Sequence, residues 1–391
     1  MNRNKKDFRL IHLIIIVVLT SIVSAITTGV ILLNNKNVGR TIANSNDKDL
    51  QEFVDAYNSI IEDYYENIDK NKMLDAAIDG MLNYLGDDYT TYLDSDETEQ
   101  LNDKLNGKYT GVGVEIREGN VVNKVFDNSP AMEAGIQAED AIIRVDDEDV
   151  TTISTEDLAT KIKSKESDDI KITVRRGEEE IDFQVKKRQL YVPAIDSNII
   201  DNNGKKTGYI YISTFSDTVY AQFKNALVGL ENEGIDNLII DVRNNTGGYL
   251  SETTNIASLF LEKDKVIYSL ENKKSKESYK DETEEKRNYS VVVLINEASA
   301  SASEILTASL KDSYNATLVG KKSFGKGKVQ QTAKLKGGTM YKYTSAKWLR
   351  PNGDCVDGKG IEPDVEVDLE ITEDGTVVDT QLSKALEILG Q

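Results

Sequence analysis

Apolar residues gather near the start of the chain in one long block. Residues 10–33 contain no Asp, Glu, Lys or Arg, and at about 1.5 Å per residue a helix over them crosses a hydrocarbon core of about 30 Å. Arg3, Lys5, Lys6 and Arg9 precede the block, which keeps the N-terminus in the cytoplasm and sends everything after Leu33 outward. Val23-Ser24-Ala25 also has the small-residue pattern of a signal-peptide cleavage site. The apolar run continues past it, so a membrane anchor is the favoured reading. After a polar linker, apolar positions return at helical spacing in Leu50, Phe53, Val54, Tyr57, Ile60, Ile61 and Tyr64. A second stripe follows in Met73, Leu74, Ala77, Ile78, Met81, Leu82 and Leu85. Such stripes pack on their own domain or on a second copy, so a homodimer is one candidate assembly. Acidic and polar residues then dominate up to Asn106.

From Gly107 the period shortens to that of strands. Gly111 to Ile116, Asp140 to Asp146, Ile170 to Arg175 and Ile181 to Val185 read as β segments, with a turn at Ser129-Pro130-Ala131, a short helix at Ala134-Gly135-Ile136, a hairpin turn at Arg176-Gly177-Glu178 and a helix over residues 155–162. The last two hundred residues alternate instead. Strands at residues 208–212, 237–242 and 291–295 are separated by helices at 218–231 and 250–261, and the charged run 271–287 reads as a solvated excursion. Alternation of this kind implies an α/β domain with a largely covered sheet.

Composition narrows the chemistry. The chain of 391 residues has a formal net charge of −20, which opposes any phosphate backbone and makes nucleic acid an unsuitable partner. One cysteine, Cys355, excludes an internal disulfide framework. One histidine, His12, lies inside the apolar N-terminal block. A serine nucleophile in this chain therefore lacks an imidazole base, and a His/Cys zinc site lacks ligands. A lysine that loses its proton in a dry pocket is the remaining common base.

Three blocks could supply such chemistry. The strand ending near Asn296 runs into Ser299-Ala300-Ser301-Ala302-Ser303-Glu304 and then a helix. A serine there meets free N–H groups and the positive end of the helix dipole. The same residues form a capping-box pattern, so a hydroxyl that merely closes the first turn is the rival reading. Residues two apart on a helix diverge by about 200°, so the three serines cannot share one site. The loop Ser323-Phe324-Gly325-Lys326-Gly327-Lys328 offers two lysines between glycines. To act near neutral pH, a lysine must titrate well below its ordinary value of about 10.4, a difference of about 4 to 5 kcal/mol, which burial can supply. Lys328 competes with Lys326, and its charge would depress Lys326 if the two are near. The third block, Asp241-Val242-Arg243-Asn244-Asn245-Thr246-Gly247-Gly248, ends a buried strand with paired glycines that can present N–H groups to an oxyanion.

In combination and order these blocks resemble the carboxy-terminal processing proteases, and the order of strands from Gly107 resembles a PDZ domain. Behind the tail and anchor that the apolar block places over 1–40, the resemblance implies a helical segment over 41–106, a PDZ domain over 107–189 and a serine protease domain with a crotonase-like ββα core over 190–391. It implies Ser301 as nucleophile, Lys326 as base, Gln330 as the residue orienting that lysine, and the N–H groups of Ala302 and Gly247 as the oxyanion hole. Thr246 stands where the family often has proline. In the PDZ domain the resemblance implies a peptide-binding loop of Tyr109, Thr110, Gly111, Val112 and Gly113. The implied activity is hydrolysis of extracytoplasmic proteins near flexible C-terminal tails through an acyl-enzyme, with no metal or organic cofactor. The rivals are a crotonase-type acyl-CoA enzyme and a non-catalytic scaffold that binds peptide ends.

Overall fold

A computed structural model describes residues 48–165, 167–372 and 376–390. The chain divides into two compact units, residues 1–77 and 78–391. The expected anchor at 10–33 and His12 lie outside the described residues, among which no helix is long and apolar enough to cross a membrane. In the first unit the stripe beginning at Leu50 forms the helix Lys48–Asp63, none of whose residues is buried.

The polar stretch before Asn106 is more ordered than its composition suggests. It holds the strand Thr91–Leu93 and the helix Ser95–Leu105. Asp94 caps that helix through its carboxylate on the Glu97 N–H (2.8 Å), while Glu97 reaches back to the Asp94 N–H (3.0 Å).

The next segment is a sheet ordered Val114–Arg117, Val121–Val125, Ala141–Val145, Asp169–Arg176 and Glu179–Lys186. Its core is Val122, Ile142, Val145, Ile170, Ile172 and Val174, closed by Leu158 and Ile162 of the helix Thr155–Ser164. The expected loop 109–113 is corrected here. Tyr109, Thr110 and Gly111 belong to the strand Lys108–Gly111, which pairs with Arg188–Tyr191. Only Val112 and Gly113 connect it to the next strand, because Lys108 to Gly111 are taken up in pairing with the returning chain. Val114–Arg117 is the edge of the larger sheet.

The α/β domain is built on a six-stranded sheet ordered Ile195–Asn202, Lys205–Ile212, Asn237–Asp241, Val291–Ile295, Thr317–Gly320 and Val365–Glu366. All pairs beyond the first are parallel. Both faces are covered, so the central strands Asn237–Asp241 and Val291–Ile295 are buried throughout and read as apolar runs rather than alternations. One face packs on Phe223, Leu227, Ile256, Phe260, Ile305 and Leu306, the other on Ala385 and Leu389 of the C-terminal helix Thr380–Gly390. Three neighbouring parallel strands end at Asp241, Ile295 and Gly320, so the glycine, serine and lysine loops leave the same edge side by side. Ligands of open α/β sheets bind at that edge.

A second sheet contains Thr91–Leu93, Lys328–Lys334, Met340–Leu349, Val266–Glu271 and Lys276–Lys280. The charged run 271–287 is therefore partly a paired strand. Tyr279 anchors it by stacking on the buried Tyr268 at 4.7 Å, which the surrounding charges conceal.

The C-terminal helix is pinned by a partly buried ion cluster. Arg243 donates to both oxygens of Asp241 (2.6–3.0 Å), to both oxygens of Asp379 (2.8 Å each) and to Gln381 Oε1 (3.0 Å), and Tyr209 donates to Asp241 (2.8 Å). Arg243→Met would leave the carboxylate of Asp241, which is 1% exposed, without its counter-charge and with only the Tyr209 hydroxyl and the backbone N–H of residue 243 as donors, at a cost of about 3 to 5 kcal/mol. Lysine should restore little, because it cannot fork across two carboxylates. Chemical denaturation checks this. An unchanged midpoint in Arg243→Met would mean that the cluster adds nothing to the fold.

Candidate active site

The three loops enclose a cavity of about 890 Å³. Ser301, Ala302, Gly247, Lys326 and Gln330, expected to act together, all line it. The peptide-loop residues 109–113 do not. Ser301 sits at the strand-to-helix turn with φ +56° and ψ −114°, a conformation that L residues rarely adopt. Its neighbours have other duties. Ser299 donates to the Val242 carbonyl (2.8 Å) and Ser303 to the Asn245 carbonyl (2.7 Å), and both are fully buried. The flanking serines thus tie the turn to the glycine loop, while the middle one faces the cavity.

The glycine loop touches Ser301 directly. A side chain at Gly247, where φ is +104°, would start 2.9 Å from Ser301 Cβ and 3.0 Å from the Ala302 nitrogen. As first residue of the helix Ala302–Ser309, Ala302 has no intrahelical acceptor for its N–H. The Gly247 N–H, by contrast, donates to Asn245 Oδ1 (2.9 Å), so in this structure it is turned into its own loop. Asn245 is held in turn by donating to the Ile212 carbonyl (2.9 Å). At the position of the missing proline, Thr246 accepts from Lys104 Nζ (3.4 Å).

Lys326 is half-buried, and its amine lies 4.9 Å from the centre of the Tyr89 ring. Burial lowers its pKa, helped by the charges of Lys342 and Lys104 and opposed by Glu304. The ring face favours the cation by about 0.5 to 1 kcal/mol, less than burial can remove. Lys328 is the opposite case. Its amine pairs with Asp87 at 3.0 Å, which raises its pKa. The cations depressing Lys326 are therefore Lys342 and Lys104, two residues with no motif around them. Gln330 donates to Thr344 Oγ1 at 3.4 Å.

Glycines flank Lys326 because the loop is pressed against residues 356–360. A Cβ on Gly325 would lie 2.7 Å from the Gly360 nitrogen, and one on Gly327 would lie 2.6 Å from the Asp357 nitrogen. The chain's one tryptophan, Trp348, donates from its indole to the Lys326 carbonyl (2.8 Å), fixing the backbone from the other side.

Glu304 joins the loops. Its side chain is fully buried. Oε2 accepts the N–H groups of Ser301 (2.9 Å) and Lys326 (2.8 Å), and Oε1 accepts Gly325 N–H (2.7 Å) and Ser323 Oγ–H (2.6 Å). Burial raises the Glu304 pKa, and these four donors oppose the rise. The capping-box pattern signalled its contact with Ser301. Nothing in sequence signalled its reach to the lysine loop.

A hydroxyl on a strained turn, lining one cavity with an amine biased toward neutrality and next to the free N–H of a helix start, is suited to attack on a carbonyl. Comparisons with known proteins agree with that class. Models of peptidase family S41, the PDZ domain and the activating protease CtpB N-terminal domain match residues 206–367, 105–186 and 27–98. The "Probable CtpA-like serine protease" of Staphylococcus aureus (strain N315) is 34% identical over 357 residues, 89% of this chain and 71% of that protein. Its namesake from Staphylococcus haemolyticus (strain JCSC1435) is 33% identical over 367 residues, 92% of this chain and 72% of its own. The structure of the photosystem II D1 C-terminal processing protease superposes with a TM-score of 0.51 at 24% identity, covering 87% of this chain and 96% of that one. That likeness concerns the fold. The chain belongs to peptidase family S41, among its CtpA-like serine proteases.

Proposed function

We propose that this protein is a C-terminal processing endopeptidase that cuts extracytoplasmic proteins near flexible tails, anchored through residues 10–33. Ser301 attacks the scissile carbonyl as neutral Lys326 takes its proton. The oxyanion forms against the Ala302 N–H and the Gly247 N–H, which Asn245 Oδ1 gives up or shares as substrate binds. Protonated Lys326 then returns its proton to the leaving amine, and water repeats the cycle on the acyl-enzyme. Gln330 would steady the amine after letting go of Thr344. No metal or organic cofactor is used. The observation that carries this reading is Glu304, one carboxylate that holds the backbones of both Ser301 and Lys326.

Substrate would also engage the PDZ domain, its tail adding as a strand to the edge Val114–Arg117 and its terminal carboxylate meeting the N–H groups around Val112 and Gly113. The test uses the full chain in detergent and an unstructured protein tail, with loss of C-terminal sequence followed by mass spectrometry beside Ser301→Ala. Amidating the tail should slow cleavage roughly tenfold, about one charge-assisted contact. Equal cleavage of acid and amide tails would remove the terminus-reading role, and cleavage by Ser301→Ala would remove the mechanism.

A further inference from the structure

The cavity carries a charge opposite to that of the chain. Lys104, Lys326, Lys328 and Lys342 line it, with Glu297 as the one lining carboxylate, in a protein whose net charge is −20. Several lysines outside the cavity are matched by carboxylates. Lys321 pairs with Glu366 and Asp368, and Lys165 with Asp146 and Glu148. In the cavity Lys328 is matched by Asp87. Lys104 reaches only the neutral Thr246 hydroxyl, and neither it nor Lys342 forms an ion pair among the described residues. Two long cationic side chains therefore converge on a half-enclosed space with no counter-charge of their own, from the helix Ser95–Leu105 and the strand Met340–Leu349. Two cations without counter-charges on the walls of one cleft favour an anion and select against a cation.

We propose that Lys342 and Lys104 form a carboxylate-reading subsite, so that the enzyme favours substrates that place a carboxylate beside the scissile bond. The carboxylate is either an Asp or Glu side chain or the substrate's own terminus. Leu101, Leu105 and Leu250, on the same walls, would take a neighbouring apolar side chain. This inference rests on the peptidase reading above and specifies its substrate class. It has a built-in trade. The groups facing Lys326 are Lys342, Lys104, Tyr89 and the buried Glu304, with Lys328 balanced by Asp87. A bound carboxylate cancels part of the Lys342 and Lys104 charge, so it tightens binding while making Lys326 harder to deprotonate. Acidic substrates should show a lower KM and a kcat that rises at higher pH than for neutral ones.

The experiment measures kcat and KM against pH for the full chain with two peptide pairs. One pair carries Glu or Gln beside the cleaved bond and an amidated end. The other carries Gln there and a free or amidated end. Wild type should prefer Glu over Gln on the order of tenfold in kcat/KM, as two partly exposed ion pairs allow. In Lys104→Gln/Lys342→Gln the preference should fall toward one, and the pH midpoint on the Gln peptide should rise. Lys342→Arg should keep the preference. If the free-end preference also falls in the double variant, the cleft reads the terminus; if it persists, the PDZ domain does. Equal rates on Glu and Gln peptides together with a free-end preference that survives the double variant, or a Glu preference that survives it, would overturn the subsite. Absence of hydrolysis of all three peptides by wild type would instead overturn the peptidase reading.

Discussion

Arginine at position 326 is expected to silence hydrolysis as fully as alanine at 301, each lowering the rate on the order of 10⁴-fold or more. Charge is kept in Lys326→Arg, but a guanidinium does not deprotonate in proteins. A base that must be neutral is then lost. The wild-type rate should rise with pH, because only neutral Lys326 accepts the Ser301 proton. Its midpoint should fall below the ordinary lysine value of about 10.4, since burial and the neighbouring Lys342 and Lys104 lower the pKa. The stability consequence has a definite sign. A lysine whose folded pKa is depressed penalises the fold where both folded and unfolded forms are protonated, below the folded pKa. The penalty fades as pH rises from there toward the unfolded value. Lys326→Met should therefore be more stable than wild type at neutral pH, with a gain that shrinks in alkali. Hydrolysis by Lys326→Arg near the wild-type rate, or loss confined to Lys328→Ala, would move the base elsewhere. The ion pair of Lys328 with Asp87, which favours its charged form, argues against that outcome.

The main elements were legible because burial leaves a periodic trace. Asn237–Asp241 and Val291–Ile295 read as buried strands because both faces of the sheet are covered, and the loops between them fall where the runs stop. The strand Lys276–Lys280 was hidden, since only Tyr279 on it packs inward amid charged residues. The helix Ser95–Leu105 was hidden too, having one buried residue, Thr98. At the site, motif spacing marked Ser301 and Lys326 as candidates. It could not separate Ser301 from Ser299 and Ser303, because that depends on which hydroxyls meet carbonyls of a loop more than fifty positions away. Tyr89, Lys104 and Lys342 were invisible for a related reason. They come from elements remote in sequence, and a lone lysine on a polar strand or helix looks the same whether it faces solvent or a cleft.

Glu304 is where local pattern and distant contact meet, and its replacement should reveal which matters more. Glu304→Ala would leave the N–H groups of Ser301, Gly325 and Lys326 without their buried acceptor, at about 1 to 3 kcal/mol for each one left unmet. The strained turn at Ser301 and the lysine loop would then relax independently. A misplacement of about 1 Å can lower the rate on the order of 10²-fold, and two loops are released here. Glutamine separates shape from charge. Its oxygen can keep Ser301 N–H and Lys326 N–H while its amide turns to the other pair. The Ser323 hydroxyl can rotate to accept that amide, but Gly325 N–H cannot. One donor thus faces another, and Glu304→Gln should lose about 1 to 3 kcal/mol of stability and roughly tenfold in kcat, with KM little changed. Its pH profile carries the distinguishing sign. Glu304 raises the Lys326 pKa through its charge, so removing that charge should move the midpoint to lower pH while the plateau falls. A purely structural role would lower the plateau and leave the midpoint in place. Wild-type stability and wild-type kcat in Glu304→Gln would show that the carboxylate does not hold the two loops in register.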